Sequence, residues 1–210
     1  MLIDTTLYFI TDSTPYTEKE FLQRVQLALE GGVTLLQLRE KNRTTREYLS
    51  LAKKVHSLTK KFKVPLIIDD RLDVALASGA EGVHLGQSDL PIKVARGLVG
   101  PDYIIGATSK TVEQAREAYA GGADYLGVGA IYPTTTKVVT VITPVATLKD
   151  ICNAVPIPVN AIGGLNKTNL DVLKNSGISG LCVVSAIMHA DNPKKEAQTL
   201  LKLAKQLKSS

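Results

Sequence analysis

Four times along the chain a helical pattern ends in glycine, a small or polar spacer follows, and a short β-rich run begins. The joint reads Ala28-Leu29-Glu30-Gly31-Gly32 before Val33 to Leu38, and Ala77-Ser78-Gly79-Ala80-Glu81 before Gly82 to Leu85. It recurs as Ala120-Gly121-Gly122-Ala123-Asp124 before Tyr125 to Val128, and as Asn175-Ser176-Gly177-Ile178-Ser179 before Gly180 to Val184. Glycine is what a helix C-terminus needs to enter the left-handed conformation, and a continuous apolar run suits a parallel strand covered on both faces. Repetition of one joint therefore implies a repeated βα unit.

On this basis strands are expected at Leu7 to Thr11, Leu35 to Leu38, Leu66 to Ile68, Gly82 to Leu85, Ile104 to Ala107, Tyr125 to Gly129, Val159 to Ile162 and Leu181 to Ser185. Amphipathic helical patterns cover Glu18 to Glu30, Thr45 to Lys61, Leu72 to Ser78, Pro91 to Leu98, Val112 to Ala120, Thr147 to Ala154, Thr168 to Ser176 and Pro193 to Lys208. Eight alternating units predict an α/β fold, a (β/α)8 TIM barrel forming a single domain over residues 1–210. A doubly wound open sheet shares the local grammar, and the count of eight favours the barrel.

Composition narrows the function. A chain of 210 residues can bury a large core, and its net charge of +5 is modest. The lysines at Lys53, Lys54, Lys60, Lys61 and Lys63, and from Lys194 to Lys208, lie in segments of helical period. A solvated helix face accounts for them better than a nucleic-acid surface, given how few aromatics are interleaved. Cys152 and Cys182 have neither disulfide nor zinc spacing and are expected in the core. With no long apolar run and no basic segment leading into a hydrophobic block, the protein is expected in the cytoplasm.

Active sites of (β/α)8 barrels lie at the C-terminal ends of the strands. After the second strand come Arg39, Glu40 and Lys41, and alternation puts Gln37, Arg39 and Lys41 on one side and Glu40 on the other. Two cations and an amide make a good anion clamp. After the third strand stands the doublet Asp69-Asp70, and after the fourth stands Asp89. Carboxylates from neighbouring strand ends suit Mg²⁺; Asp89, two residues before Pro91, equally suits a helix cap. After the sixth strand, Thr134, Thr135, Thr136 and Lys137 follow Pro133 as a phosphate cradle or an ordinary polar loop. Gly163-Gly164 and Ser185-Ala186 fall where such barrels bind phosphate. Gly127-Val128-Gly129 has no third glycine for a dinucleotide site, and His56, His84 and His189 lack metal-binding spacing and are expected as packing or surface residues. Two anion sites at one mouth point to a diphosphate reacting with a phosphorylated partner.

The segments Gln37-Leu38-Arg39-Glu40-Lys41, Ile68-Asp69-Asp70-Arg71-Leu72-Asp73-Val74-Ala75, Gly82 to Asp89, Pro133 to Lys137 and Ala161-Ile162-Gly163-Gly164 closely resemble the thiamine-phosphate synthases, in that family's order and spacing. The resemblance implies joining 4-amino-5-hydroxymethyl-2-methylpyrimidine diphosphate to 4-methyl-5-(2-phosphoethyl)thiazole, with release of diphosphate. It implies that Gln37, Arg39 and Lys41 hold the pyrimidine diphosphate, that Asp70 and Asp89 bind Mg²⁺, and that Lys137 contacts the diphosphate. Thr134, Thr136, Gly164, Val184 and Ser185 match positions that receive the thiazole phosphate. Arg39, Lys41 and Lys137 are thus the expected catalytic cations, the partners are two small molecules rather than nucleic acid or membrane, and a homo-oligomer is compatible.

Three positions depart from the family pattern. Asp69 stands where many relatives have Asn, Thr108 or Ser109 stands where many have Ser, and the segment Val138 to Thr147 lacks the usual glycine. A barrel relative that isomerises the thiazole phosphate would not need the full set of Arg39, Lys41, Asp70, Asp89 and Lys137, nor would a non-catalytic phosphate-ligand sensor.

Overall fold

The computed structural model of the chain describes residues 3–134 and 141–208. Parallel strands β1 (Leu7–Ile10), β2 (Leu35–Leu38), β3 (Leu66–Asp69), β4 (Gly82–Leu85), β5 (Ile104–Ser109), β6 (Tyr125–Gly129), β7 (Val159–Ile162) and β8 (Gly180–Val183) close into a barrel in sequence order. Closure is completed by β8 pairing with β1, Tyr8 registering with Cys182. The helices α1 (Glu18–Glu30), α2 (Thr45–Phe62), α3 (Leu72–Ser78), α4 (Ile92–Val99), α5 (Val112–Ala120) and α6 (Val145–Ala154) follow β1 to β6 in turn. After β8 come a one-turn helix, α7 (Ser185–Met188), and the long α8 (Pro193–Lys208). No helix among the described residues is long and apolar enough to cross a membrane.

Local chemistry starts and stops these elements. Thr17 and Thr44 form capping boxes with Glu20 and Glu47 at the starts of α1 and α2. Gly79 ends α3 at φ 75°, and Gly32 turns the chain out of α1 at φ 96°, both in the left-handed region where a side chain would be strained.

The two faces of each strand see different surroundings. Leu7, Phe9, Leu36, Ile68, Val83, Ile105 and Leu126 pack outward against the helices in the main core. Tyr8, Ile10, Leu35, Ile67, Ile104, Tyr125 and Cys182 fill the barrel interior. The interior is tight enough to require glycine opposite its large rings. A Cβ on Gly106 would lie 2.1 Å from Tyr125 Cζ and 2.6 Å from His84 Nδ1. Gly106→Ala is therefore expected to cost about 3 kcal/mol, as overpacked cores do, read as a lower urea midpoint; a loss below about 1 kcal/mol would contradict this packing.

One expected helix is absent. Thr168 to Ser176 forms only a 3-10 turn at Leu170–Leu173. Side chains here compete for the backbone: Asn166 N–H donates to Asn169 Oδ1 at 2.9 Å, Thr168 N–H donates to Asn166 Oδ1 at 2.9 Å, and Asn169 Nδ2 donates to Gly164 O at 2.9 Å. The eighth strand also stops short of Ser185, which instead opens α7. Thr11 lies beyond β1, whereas β3 extends to Asp69 and β5 to Ser109. Both cysteines are free: Cys182 is buried in the barrel interior, while Cys152 is only half-buried against the outer core.

Candidate active site

The C-terminal ends of the strands open into a cavity of about 730 Å³. Its walls include Gln37, Arg39, Lys41, Asp69, Asp70, Asp89, Thr108, Thr134, Gly164, Val184 and Ser185, so the described candidates converge on one space. Thr135, Thr136, Lys137 and the segment from Val138 to Thr140 lie outside the described residues, while Val145 to Thr147 form the first turn of α6.

Alternation along the end of β2 does what the sequence implies. Arg39 and Lys41 face the cavity, whereas Glu40 turns away to accept from Ser13 Oγ at 2.9 Å and from Arg43 Nε at 2.9 Å. Lys41 Nζ sits 2.7 Å from Asp69 Oδ2 and also pairs with Asp70, while Arg39 Nε is 3.8 Å from Asp69. Burial works against the Lys41 charge, but the two carboxylates outweigh it and raise its pKa.

The aspartate doublet is unequal. Asp69 ends β3, buried, and burial together with the Asp70 charge pushes its carboxyl up to about 6 against the opposing pull of Lys41 and Arg39. Asp70 lies at φ 60°, in a three-residue turn closed by Arg71 N–H donating to Asp69 O at 2.7 Å. A non-glycine residue held there is strained, and such strain concentrates at functional positions. The turn brings the Asp70 carboxyl within hydrogen-bonding reach of Asp89, whose pKa is raised by burial and by Asp70. Asp89 does not cap α4, because Pro91 occupies the cap and no side chain bonds there. Its Oδ2 instead accepts from Gly86 N–H at 2.7 Å, which ties the carboxyl beneath the cavity mouth. Among the described residues no three His, Cys, Asp or Glu side chains gather round one point. Asp70 and Asp89 line the same cavity and offer it a hard-oxygen pair that suits a cation and leaves most of its coordination shell to other ligands.

Pairing along β5 decides between its two hydroxyls. Thr108 faces the cavity, and Ser109 is buried on the other side of the strand with no partner for its Oγ among the described residues. Opposite, Gly163 and Gly164 adopt φ 101° and 65°, and a Cβ on Gly164 would lie 2.8 Å from Pro133 O. Glycine thus lets the loop after β6, carrying Thr134, lie against the end of β7.

Part of the floor is built from residues that no motif marks as part of the site. Tyr8 and His84 line the cavity, as does Lys110 at its edge. His56 does pack as expected, between Ser78 O and Glu81, but His84 points into the barrel, with Nε2 2.9 Å from Thr108 Oγ1 and Nδ1 3.2 Å from Tyr125 OH. The signal available was its parity: His84 registers beside Asp69 near the end of an otherwise apolar strand.

Burial lowers the His84 pKa from 6.5 to about 4, only partly offset by the Asp70 charge. The folded value lies below the unfolded one, so the unfolded chain takes up a proton first as pH falls. Stability is complete above about pH 6.5 and declines toward pH 4, by about 3 kcal/mol from this residue. Urea unfolding in EDTA should therefore show wild type losing about that much more than His84→Gln over the same window, and equal losses would contradict it.

The comparisons with known proteins agree with this architecture. The family model described as thiamine monophosphate synthase matches residues 7–187. The thiamine-phosphate synthase 2 of Streptococcus pneumoniae is 51% identical over 196 residues, 93% of either chain. The thiamine-phosphate synthase of Methanobrevibacter smithii is 48% identical over 200 residues, 95% of either chain. Among solved structures, the thiamine phosphate pyrophosphorylase of Pyrococcus furiosus superposes with a TM-score of 0.88 at 40% identity, covering 98% of both chains. With a matching family model over most of its length, close relatives end to end and the same closed barrel, the chain belongs to the thiamine monophosphate synthase family of transferases.

Proposed function

We propose that the barrel mouth joins 4-amino-5-hydroxymethyl-2-methylpyrimidine diphosphate to 4-methyl-5-(2-phosphoethyl)thiazole, giving thiamine phosphate and diphosphate. The observation that carries this reading is the convergence of Arg39, Lys41, Asp70 and Asp89 on the same cavity as Thr134, Gly164, Val184 and Ser185, room for two anionic groups at once. Gln37, Arg39 and Lys41 hold the pyrimidine diphosphate, with Lys137 a further diphosphate contact and Thr108 beside it. Thr134, Thr136, Gly164, Val184 and Ser185 receive the thiazole phosphate. Asp70 and Asp89 hold Mg²⁺, which when bound supplies positive charge against the diphosphate oxygens.

The residue types suit a dissociative displacement. No protein nucleophile is needed when diphosphate leaves, its amino-stabilised pyrimidine methylene cation forms, and the thiazole nitrogen captures that cation. Arg39, Lys41 and Lys137 stabilise the negative charge growing on the leaving group. Fixing both phosphates brings the reacting carbon and nitrogen together, which removes much of the entropic barrier to a bimolecular step. A soluble biosynthetic role in the cytoplasm fits this chemistry. The isomerase reading is weaker because Arg39, Lys41, Asp70 and Asp89 form one connected cluster that an isomerase of the thiazole phosphate would not use.

Calorimetry tests the two-site geometry: protein saturated with inorganic diphosphate and Mg²⁺ should still bind one thiazole phosphate per chain. Mutual exclusion would contradict it. In the same titration Asp69→Asn should bind diphosphate about tenfold more tightly, because Lys41 and Arg39 no longer face a carboxylate in that place. Equal or weaker binding would count against a direct Asp69–diphosphate contact.

A further inference from the structure

Beneath the cavity a single file of hydrogen bonds crosses the barrel. Gln37 Nε2 donates to Tyr8 OH at 2.5 Å, Tyr8 OH lies 2.7 Å from Tyr125 OH, and Tyr125 OH lies 3.2 Å from His84 Nδ1. His84 Nε2 then lies 2.9 Å from Thr108 Oγ1. Both ends of the file, Gln37 and Thr108, line the cavity, while Tyr125 is fully buried behind it.

Counting protons gives the file a direction. Each phenol has one hydrogen and, among the described residues, two partners. Because Tyr8 accepts from Gln37, its own hydrogen is satisfied only by Tyr125, and the Tyr125 hydrogen is then satisfied only by His84 Nδ1. A buried hydroxyl hydrogen without an acceptor is costly, so His84 must carry its proton on Nε2 and donate to Thr108. This leaves the Thr108 hydroxyl hydrogen for a ligand, together with Gln37 Oε1 and the second Nε2 hydrogen. Reversing the Gln37 amide would demand reversal of every link, including the His84 tautomer.

We propose that Tyr8, Tyr125 and His84 are positioning residues whose hydrogen-bond file fixes the Gln37 amide and the Thr108 hydroxyl, and thereby makes the site prefer an aminopyrimidine over its oxo counterpart. The claim rests on the pyrimidine diphosphate reading above. An acceptor beside a donor on Gln37 matches an exocyclic amine beside a ring nitrogen, the edge by which glutamine pairs with adenine. A 4-oxo ring presents an acceptor beside an N–H and meets the fixed amide with both contacts mismatched. Cutting the file at Tyr125 leaves the Tyr8 hydrogen free to bond Gln37 Oε1, which favours the flipped amide.

Two measurements test this. Imidazole ¹⁵N NMR of the ligand-free protein, with the signals assigned by their loss in His84→Gln, should find His84 bare at Nδ1 and protonated at Nε2. The ratio of kcat/KM for the 4-amino over the 4-oxo pyrimidine diphosphate should fall about tenfold or more in Tyr125→Phe, with the Mg²⁺ concentration for half-maximal rate unchanged. Tyr8→Phe serves as the second variant should Tyr125→Phe fail to fold. The opposite tautomer, or an unchanged ratio in a folded variant, overturns the proposal. A wild type that turns over neither pyrimidine overturns the functional reading instead, while the tautomer still reports on the file.

Discussion

Lys41→Ala should lower kcat/KM about a hundredfold while the barrel stays folded, and Arg39→Ala should do the same. Losing one preorganised charge contact to a leaving group typically costs on the order of 3 kcal/mol of transition-state stabilisation. Lys41 lies at the centre of the acidic cluster, 2.7 Å from Asp69 and in contact with Asp70, so it orders both carboxylates before any ligand arrives. Its removal leaves Asp69 buried beside Asp70 with Arg39 as the remaining cation among the described residues, and Asp69 then relieves the repulsion by taking up a proton rather than by unfolding the strand end. Steady-state kinetics set against a urea unfolding curve separates the two effects. Near-normal turnover in either variant defeats the assignment, and a loss of folding equal to the loss of rate would make these cations structural.

Asp70→Asn should raise the Mg²⁺ concentration needed for half-maximal rate by at least tenfold. Even indirect partners of metal ligands cost roughly tenfold to a hundredfold in affinity when removed, and Asp70 is one of the two carboxylates proposed to hold the ion. The substitution keeps the size of the side chain, and asparagine tolerates the left-handed backbone that the turn imposes at φ 60°. Stability should therefore change little. A Mg²⁺ titration of the rate measures the shift, with Asp89→Asn expected to move in the same direction. An unaltered Mg²⁺ requirement in both variants would remove the carboxylate pair from the metal site.

Much of this was legible in the chain because the signals are local. Glycine joints and apolar runs placed the strands within a residue or two, and alternation alone separated Glu40 from Arg39 and Lys41. Alternation does not reach Asp70, whose left-handed turn brings it to the same cavity and the same lysine as Asp69. Local signals fail where a side chain far along the chain decides the outcome. Thr168 to Ser176 carries a helical pattern, yet Asn166 and Asn169 take up its backbone groups and one of them reaches back to Gly164. His84 reads as an isolated polar residue in an apolar strand, and only barrel closure reveals that it faces Thr108, Tyr125 and, through Tyr125, Tyr8. The ambiguity at Thr108 and Ser109 has the same origin, since a strand's parity becomes an inside and an outside only when its neighbours are known.

In the proposed reaction the two anionic sites act together in one coupling step. Supplying wild-type protein with both substrates and Mg²⁺, and following diphosphate and thiamine phosphate in the same sample, tests it most directly. The two products should appear in equal amounts and disappear together when Mg²⁺ is chelated. Diphosphate release without thiamine phosphate, or neither product, would contradict it.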